Sequence, residues 1–125
     1  MVSCVIINYN GLKFLDTFFK SLFAMRGVEM EVIFIDNASA DASVDFVRAQ
    51  YPQVKIIVNG KNTGYSGAAD QAVRVSRGEF ILISNPDIVF EPDYLNILVK
   101  RLQADAAVGA IIGKLRRFDF ERRSK

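Results

Sequence analysis

The sequence has no histidine, no tryptophan and a single cysteine, Cys4. Disulfide frameworks need paired cysteines, and Cys–His zinc clusters and Ser–His or Cys–His nucleophile pairs need histidine, so the chain can contain none of these. Any acid or base in the chain must therefore be a carboxylate, a lysine or a tyrosine. Cys4 lies in the apolar run over residues 2–7. This position predicts a small buried core residue and not a reactive thiol.

Glycine-rich phosphate motifs and long apolar runs are also missing. No G-x-G-x-x-G follows the first apolar run, and no G-x-x-x-x-G-K-[ST] occurs anywhere, so the sequence lacks the phosphate loops of dinucleotide-binding and P-loop enzymes. The first apolar run is broken at Asn8, which makes it too short for a signal peptide or a membrane span. We therefore expect a cytoplasmic protein. A peripheral position at the inner face of a membrane is left open.

Size and charge predict one compact domain without a nucleic-acid partner. The chain has 125 residues, half of them hydrophobic, which is enough for one core. The formal net charge of +2 is unevenly distributed, because the last twelve residues carry +4 and the rest of the chain carries −2. A basic terminus can bind nucleic acid or anionic lipid, but a solvated, frayed end is the commoner case.

Short apolar runs alternate with amphipathic segments along the chain. Strands are predicted at residues 2–7, 31–35, 54–58 and 80–84. Strands of continuous apolar character that alternate with helices are typical of a sheet covered on both faces. The sequence therefore predicts an α/β fold, with a mostly parallel sheet and helices on both faces.

The predicted helices lie between these strands. The first carries apolar residues at a spacing of three and four from Leu12 to Phe23, and its phenylalanines are expected in the core. The second is expected to begin at an N-cap, either Ser39 or Asp41. The third is predicted over residues 66–76, with Gly78 as its stop, and a fourth begins near residue 92.

Polar residues follow each of the four predicted strands. Ligands of open α/β sheets bind at the carboxyl ends of the strands, so these residues form a candidate site. They are Asn8, Tyr9 and Asn10 after the first strand, Asp36 after the second, Asn62 and Gly64 after the third, and Asn85 and Asp87 after the fourth. Asn, Asp and Gly are also ordinary turn residues, and for any single loop this alternative stays open. It is weakest for Asp36 and Asp87, because both follow apolar strands.

The two aspartates suit different chemistry. A carboxylate at a strand end can hold a divalent cation against pyrophosphate oxygens, since Mg²⁺ typically takes one or two carboxylates, substrate phosphates and water. Asp87 fits that role. Asp36 could instead accept a hydrogen bond from the imide N–H of a pyrimidine base. Asn85 could contact a ribose or cap its own turn, while Pro86 would fix the backbone so that the Asp87 carboxylate points outward.

Three segments carry a family resemblance: NYNG, IDNASAD and KNTGYSGAADQAVRVSRGEFILISNPD. Together they resemble the nucleotide-binding half of the family 2 glycosyltransferases, over roughly residues 2–115. The most specific part is the spacing of Asn62, Gly64, Ala68 and Gly78 before Asp87. The resemblance implies a Rossmann-like GT-A fold and an inverting transfer from a nucleotide sugar, a UDP- or dTDP-sugar, to a glycan or lipid-linked acceptor. It also implies Mg²⁺ or Mn²⁺ as cofactor.

The resemblance assigns residues to the site. In that family the aspartate after the second strand contacts the base, which corresponds to Asp36, and the motif after the fourth strand binds ribose and metal, which corresponds to Asn85 and Asp87. The expected nucleotide-binding residues are thus Asn8, Tyr9, Asn10, Asp36, Asn62, Gly64 and Asn85, with Asp87 at the metal. The sequence departs from the usual D-x-D, and its Asn-Pro-Asp form resembles the subset that includes rhamnosyltransferases. With one carboxylate fewer, we expect a metal site that forms only with the donor.

The catalytic base is expected outside these 125 residues. In the family it lies in a second half, and no carboxylate after Asp87 has a suitable context here. We therefore expect a nucleotide-sugar-binding domain at 1–113 and a basic tail at 114–125 leading into a missing acceptor-binding half, in an apparently truncated chain that transfers little or no sugar. Exposed apolar surface would favour a homodimer. A nucleotidyltransferase and a non-enzymatic nucleotide-binding module are the alternatives.

Overall fold

The computed structural model describes residues 1–111 and 113 of the chain. Strands and helices alternate along these residues. Their order is β1 (Val2–Asn8), α1 (Leu12–Phe23), β2 (Met30–Asp36), α2 (Ser43–Gln50), β3 (Lys55–Val58), α3 (Gly64–Val75), β4 (Phe80–Ser84) and α4 (Tyr94–Ala104). The α/β class predicted from the sequence is confirmed.

The four strands form one parallel sheet in the order β3-β2-β1-β4. Asn8 at the end of β1 is in register with Asp36 at the end of β2. Because all strands run the same way, the loops that follow them meet at one edge of the sheet. The chain runs from β1 outward to β3 and then returns to place β4 on the other side of β1. The topological switch point, where ligands of such sheets bind, therefore lies between β1 and β4.

The core fills both faces of this sheet, as predicted. Cys4 and Ile6 of β1 pack with the helices α1, α2 and α4, whereas Val5 and Ile7 pack with α3. Alternate residues of a strand point to opposite faces, so this partition places α3 alone on one side. The α1 residues Phe18 and Phe19 are fully buried, which confirms their predicted place in the core. Burial of Cys4 raises the pKa of its thiol to about 12, as expected for an inert core cysteine.

The start of α2 differs from the prediction. Its N-cap residue is Ala42, which makes no side-chain cap, so the prediction of Ser39 or Asp41 as N-cap was wrong. Asp41 lies one residue before the N-cap, and its carboxylate accepts hydrogen bonds from the Ser43 N–H at 3.0 Å and from the Leu12 N–H at 3.1 Å. One carboxylate thereby holds the first residues of both α1 and α2. Its partner in α1 is distant in sequence, which explains why the local pattern did not reveal this arrangement.

The connection from α3 to β4 also differs from the prediction. The helix ends at Val75 with Ser76 as its C-cap, so Gly78 does not stop the helix. Glycine is needed at position 78 because a Cβ there would lie 2.5 Å from the Ser3 backbone nitrogen. The Gly78 N–H donates to the Ser3 hydroxyl at 2.7 Å, and the connection is thus packed directly against the start of β1.

Glu31 strengthens the same connection. Its carboxylate accepts hydrogen bonds from the Ser3 hydroxyl and from the Arg77 N–H, the latter at 2.7 Å. The Ser3 hydroxyl and then the Arg77 N–H hold the pKa of the Glu31 carboxyl below its ordinary value of 4.5. This network lies at the amino ends of the strands, at the opposite edge of the sheet from the candidate site.

The end of the chain is only partly described. The predicted basic tail at 114–125 lies outside the described residues, as does residue 112. After α4, the Gly113 N–H donates to the Tyr94 hydroxyl at 3.2 Å. Within residues 1–111 and 113, no helix has the length and apolar character needed to cross a membrane.

Candidate functional site

An open cleft of about 360 Å³ lies at the carboxyl ends of the strands, beside the β1–β4 switch point. Of the eight site residues predicted from the sequence, six line it: Tyr9, Asn10, Asn62, Gly64, Asn85 and Asp87. They come from the loops after β1, β3 and β4. The structure thus brings side chains from distant parts of the chain to one place.

The other two predicted residues, Asn8 and Asp36, lie below the cleft. Their side chains are 0% and 1% exposed, and neither lines the cleft. The Asn8 Nδ2 donates to Asp36 Oδ1 at 2.9 Å. The Asp36 carboxylate also accepts the Ser39 hydroxyl at 2.7 Å and the Ser39 N–H at 2.9 Å. Asp36 is therefore held by three internal hydrogen bonds, and its contact with a base stays a prediction.

Ser39 and Asn10 join the loops after β1 and β2. The Asn10 N–H donates to the Ser39 hydroxyl at 2.8 Å, and Asn10 Oδ1 accepts the Ala40 N–H at 2.7 Å. Asn10 has a φ of 52°, in the left-handed region that asparagine tolerates better than most residues. These bonds fix both the backbone and the amide oxygen of Asn10 against the neighbouring loop.

An amide network holds the loop after β3. Asn37, which is buried and also lines the cleft, accepts the Asn59 amide N–H at 3.1 Å and the Thr63 hydroxyl at 3.2 Å through its Oδ1. Its Nδ2 donates to the Gly64 carbonyl at 3.1 Å. Asn59 and Gln71 exchange two further bonds, at 3.0 and 3.1 Å, which tie the loop to α3. The loop is therefore anchored both to the end of β2 and to the helix that follows it.

The turn from this loop into α3 depends on Asn62 and Gly64. The Asn62 Oδ1 accepts the Gly64 N–H at 2.8 Å, and Gly64 has a φ of +76°, which suits glycine. Tyr65 follows and lines the cleft with half of its surface exposed, as does Tyr9 from the β1 loop. Exposed aromatic rings in a cleft offer flat apolar surfaces on which a planar ligand group can stack.

The loop after β4 places a carboxylate on the rim of the cleft. Asn85 and Asp87 are exposed, whereas Pro86 between them is buried. Pro86 packs close to Gly11 of the β1 loop, where an added Cβ would lie 2.7 Å from Pro86 Cγ and 2.4 Å from Asn8 Oδ1. Asp87 is exposed, and the orienting role of Pro86 stays a prediction. Asn8 Oδ1 is the one buried side-chain oxygen or nitrogen without a hydrogen-bond partner in the described part of the chain.

The donor set of the cleft suits a metal ion only in company with a ligand. Asp87 is the one carboxylate among the residues that line it. Across residues 1–111 and 113, no group of three or more His, Cys, Asp or Glu side chains could hold a metal ion. Mg²⁺ and similar hard cations accept one carboxylate when phosphate oxygens and water complete their shell. The residues present therefore fit an ion that binds together with a phosphate-bearing ligand.

Sequence reasoning did not identify four residues that line the cleft: Ile7, Gly11, Phe14 and Tyr65. Phe14 was predicted to lie in the core with the other phenylalanines of α1, and for Phe14 this was wrong. Its place in the first turn of α1, directly after the β1 loop, was the signal that it borders the site. Tyr65 had a similar signal, since it follows the Asn62–Gly64 turn. Phe23, at the other end of α1, is also partly exposed.

Comparison with known sequences identifies the family. The family described as Glycosyl transferase family 2 matches residues 3–125. The succinoglycan biosynthesis protein ExoO of Rhizobium meliloti is 32% identical over 111 residues, which cover 88% of this chain and 32% of ExoO. An N-acetylglucosaminyltransferase of Bradyrhizobium elkanii is 33% identical over 91 residues, or 70% of this chain and 50% of that protein. The chain thus spans between a third and a half of these relatives.

Solved structures share the fold. The mannosyltransferase PcManGT from Pyrobaculum calidifontis, in complex with GDP-Man and Mn²⁺, superposes with a TM-score of 0.85 at 26% identity, over 97% of this chain and 37% of PcManGT. TarS of S. aureus (residues 1–349) has a TM-score of 0.73 at 22% identity, over 82% of this chain and 32% of that structure, and shows the likeness of fold alone. The GT-A fold implied by the sequence resemblance is confirmed. Taken with the family match over nearly its whole length, these findings show that the chain belongs to the family 2 glycosyltransferases.

Proposed function

We propose that this chain is the donor-binding part of an inverting glycosyltransferase and binds a nucleoside-diphosphate sugar in the cleft. The observation that carries the proposal is the position of Asp87, an exposed carboxylate on the rim of the cleft at the switch point of the sheet. The binding of GDP-Man and Mn²⁺ by PcManGT supports this proposal, because the two chains align over nearly all of the present one.

The proposed metal site consists of Asp87 and the donor's own phosphates. Asp87 would hold Mg²⁺ or Mn²⁺ against the pyrophosphate, and the bound ion neutralises charge on the departing nucleoside diphosphate. Pro86, buried against Gly11, keeps the Asp87 backbone in place. Asn85 is exposed beside it and is assigned to the ribose.

The nucleotide is proposed to lie across the loops after β1, β2 and β3. Tyr9, Asn10, Asn62 and Gly64 line this part of the cleft and would contact the nucleotide directly. Asn8 and Asp36 lie underneath, within the hydrogen-bond network that shapes the floor, and belong to the same binding unit.

The remaining parts of the proposal concern the whole enzyme. The acceptor is a glycan or a lipid-linked saccharide, and the name of ExoO, a succinoglycan biosynthesis protein, supports a polysaccharide product. The Asn-Pro-Asp form of the metal motif favours a rhamnosyltransferase-like member of the family. We place the donor-binding domain at 1–113, with a basic tail at 114–125 that leads toward the acceptor-binding part.

Catalysis, location and assembly complete the proposal. Asp87 is the one carboxylate among the described residues that line the cleft, and it is assigned to the metal, so the general base is proposed to lie outside this lining and the donor-binding domain alone to transfer little or no sugar. We propose a cytoplasmic enzyme that contacts the inner face of the membrane where its acceptor is lipid-linked, and that can form a homodimer.

Calorimetric titration of UDP, dTDP and GDP into the chain, with and without Mn²⁺, tests the central claim. Wild-type protein is expected to bind at least one diphosphate more tightly with Mn²⁺, and Asp87→Asn is expected to lose the metal-dependent gain. Asp45→Asn is the matched control, since Asp45 is an exposed carboxylate on α2 whose ion pair with Arg48 is long at 3.8 Å.

Three outcomes decide the matter. Retention of the metal effect by Asp87→Asn would remove Asp87 from the metal site. Absence of binding by every nucleotide, in protein shown to be folded by circular dichroism, would contradict the donor-binding function. Tighter binding of nucleoside triphosphates than of diphosphates would favour a nucleotidyltransferase instead.

A further inference from the structure

We infer that Asp41 is a positioning residue for the cleft: without lining the cleft itself, it holds the loop after β1 (residues 9–11) in the conformation that binds the nucleotide. This inference rests on the proposed function and deepens it, because it names a determinant of affinity that lies outside the cleft lining. The Asp41 carboxylate accepts the N–H of Leu12, the residue that directly follows this loop, at 3.1 Å.

The loop after β1 supplies a continuous part of the cleft surface. Tyr9, Asn10 and Gly11 all line the cleft, and Phe14 lines it from the first turn of α1. Gly11 is also the N-cap residue of α1, and it makes no side-chain capping bond. The first N–H groups of a helix have no partner within the helix. The start of α1, and with it this part of the cleft, is therefore held by groups from elsewhere in the chain.

Residues 39–41 hold the loop on both sides of Gly11. On one side, the Asn10 N–H donates to the Ser39 hydroxyl at 2.8 Å, and Asn10 Oδ1 accepts the Ala40 N–H at 2.7 Å. On the other side, the Leu12 N–H donates to Asp41 Oδ2. None of residues 39–41 lines the cleft, so they determine the shape of its wall and leave the contacts with a ligand to others.

The conformation held in this way is costly for the loop by itself. Asn10 has a φ of 52°, in the left-handed region that few residues other than glycine adopt. Such a residue keeps its conformation only where the surrounding structure over-determines it. When one of the holding bonds is removed, other loop conformations become populated. The apparent affinity for a ligand then falls with the fraction of molecules that retain the binding conformation.

The two oxygens of Asp41 serve two helices. Leu12 is the first residue of α1 and bonds Oδ2, whereas Ser43 is the first residue of α2 and its N–H donates to Oδ1 at 3.0 Å. A negative charge at the start of a helix is also favoured by the helix dipole. Asparagine at this position has one acceptor oxygen only. Its NH₂ group would face either the Leu12 N–H or the Ser43 N–H, and one of the two bonds would be lost.

Asp41→Asn tests the inference because charge and positioning predict opposite results. Removal of a negative charge near a site for phosphates would by itself strengthen nucleotide binding. Loss of the bond that holds the loop is expected to weaken binding about fivefold or more, the effect of one hydrogen bond to a charged group. The measurement is calorimetric titration of UDP, dTDP and GDP with Mn²⁺ at fixed ionic strength.

Two controls separate charge and stability from positioning. Asp45→Asn removes the same charge from the first turn of α2, and Asp45 makes its ion pair with Arg48 of the same helix, so this variant is expected to bind at least as tightly as the wild type. Gly78→Ala disturbs the opposite edge of the sheet, where an added Cβ would lie 2.5 Å from the Ser3 nitrogen. It is expected to lose stability and keep the wild-type affinity.

Amide hydrogen exchange detects the loop directly. In free Asp41→Asn, the N–H groups of Asn10 and Leu12 are expected to exchange several-fold faster than in the wild type, while those in the middle of β1 and β2 keep their protection. Saturation with nucleotide is expected to restore the protection, because the ligand selects the binding conformation. Ser39→Ala removes the partner of the Asn10 N–H and is expected to give the same pattern, so it serves as a second variant if Asp41→Asn does not fold.

Each result has one meaning. Affinities at or above the wild-type value in Asp41→Asn and in Ser39→Ala would overturn the inference, and so would an equal loss of affinity in Gly78→Ala, because stability alone would then explain the effect. Weaker binding without faster exchange at Asn10 and Leu12 would also overturn it. These outcomes all require a wild-type protein that binds nucleotide, whereas a folded wild type that binds none would overturn the proposed function itself.

Discussion

Gly78 and Gly11 occupy positions without room for a methyl group, and alanine at each of these two positions tests that packing. A Cβ at position 78 would lie 2.5 Å from the Ser3 nitrogen and 2.8 Å from the Met1 carbonyl oxygen. Both atoms belong to the backbone at the start of β1, which is paired with a strand on each side and cannot yield. At Gly11, by contrast, the nearest atoms belong to the side chains of Asn8 and Pro86.

The expected magnitudes follow from these neighbours. Overpacking a close-packed site costs about 1–3 kcal/mol, whereas glycine-to-alanine substitution at an unhindered position with ordinary backbone angles stabilises a protein by about 0.4–1 kcal/mol. Gly60 is such a position, because an added Cβ meets nothing within 4 Å. We expect Gly78→Ala to lower the free energy of unfolding by about 2–3 kcal/mol, Gly11→Ala by about 1–2 kcal/mol, and Gly60→Ala to raise it slightly.

Urea unfolding followed by circular dichroism measures all three changes, with the denaturant slope as a check that unfolding stays two-state. Nucleotide titration then separates the two crowded glycines. Gly11→Ala is expected to weaken nucleotide binding as well, because the added methyl group separates the loop after β1 from the loop after β4. Gly78→Ala changes the opposite edge of the sheet, so we expect the folded variant to bind nucleotide as the wild type does. Equal stability of Gly78→Ala and Gly60→Ala would refute the reasoning, because the close backbone approach would then not exist.

Three further predictions concern buried or networked polar groups. Folding lowers the pKa of Glu31, so the stabilising effect of the Glu31 carboxylate is complete at neutral pH and is lost as pH falls from 4.5 through the lower folded-state value. The stability of the wild type in urea should therefore decline more steeply on acidification than the stability of Glu31→Gln. Parallel curves for the two proteins would contradict this. Cys4, with its pKa raised to about 12 by burial, should not react with a thiol reagent at pH about 8 until urea unfolds the protein, and prompt reaction of the native state would show that the site opens. Gln71→Ala should lower the free energy of unfolding by about 1–2 kcal/mol, because it leaves the Asn59 amide short of two partners. Adding Asn59→Ala should then cost less than it does in the wild type, whereas strict additivity would mean that the two amides are not coupled.

The strands were predictable from local sequence because each is a short apolar run with polar neighbours. The fourth strand has the predicted bounds of residues 80–84, and the first extends by one residue to Asn8. The N-cap of α2 was not predictable in the same way. Asp41 resembles an N-cap in sequence, but it shares its carboxylate with Leu12, a partner that only the folded chain brings near.

The location of the site was predictable from topology, but its internal arrangement was not. Parallel strands deliver their loops to one edge, and this alone placed Tyr9, Asn62 and Asp87 together. Burial of Asp36 depends on the hydroxyl and N–H of Ser39 and on Asn8 from the neighbouring strand. The spacing of Asp36 and Ser39 is a local signal for such a turn, whereas the contribution of Asn8 required the register of two strands.

The position of the cleft beside the β1–β4 boundary has a consequence for how the protein folds during its synthesis. Val2 pairs with Met30 of β2 and also with Phe80 of β4. The pairing of β1 with β4, which completes the cleft, therefore closes a far longer loop of chain than the pairing of β1 with β2. Long-range pairings form late and slowly, and a growing chain cannot make this one until β4 has been synthesised. A nucleotide bound across the boundary would stabilise the native state in proportion to its concentration, since the unfolded chain has no such cleft. If the chain binds its donor as proposed, the donor would therefore raise the free energy of unfolding of the newly made protein.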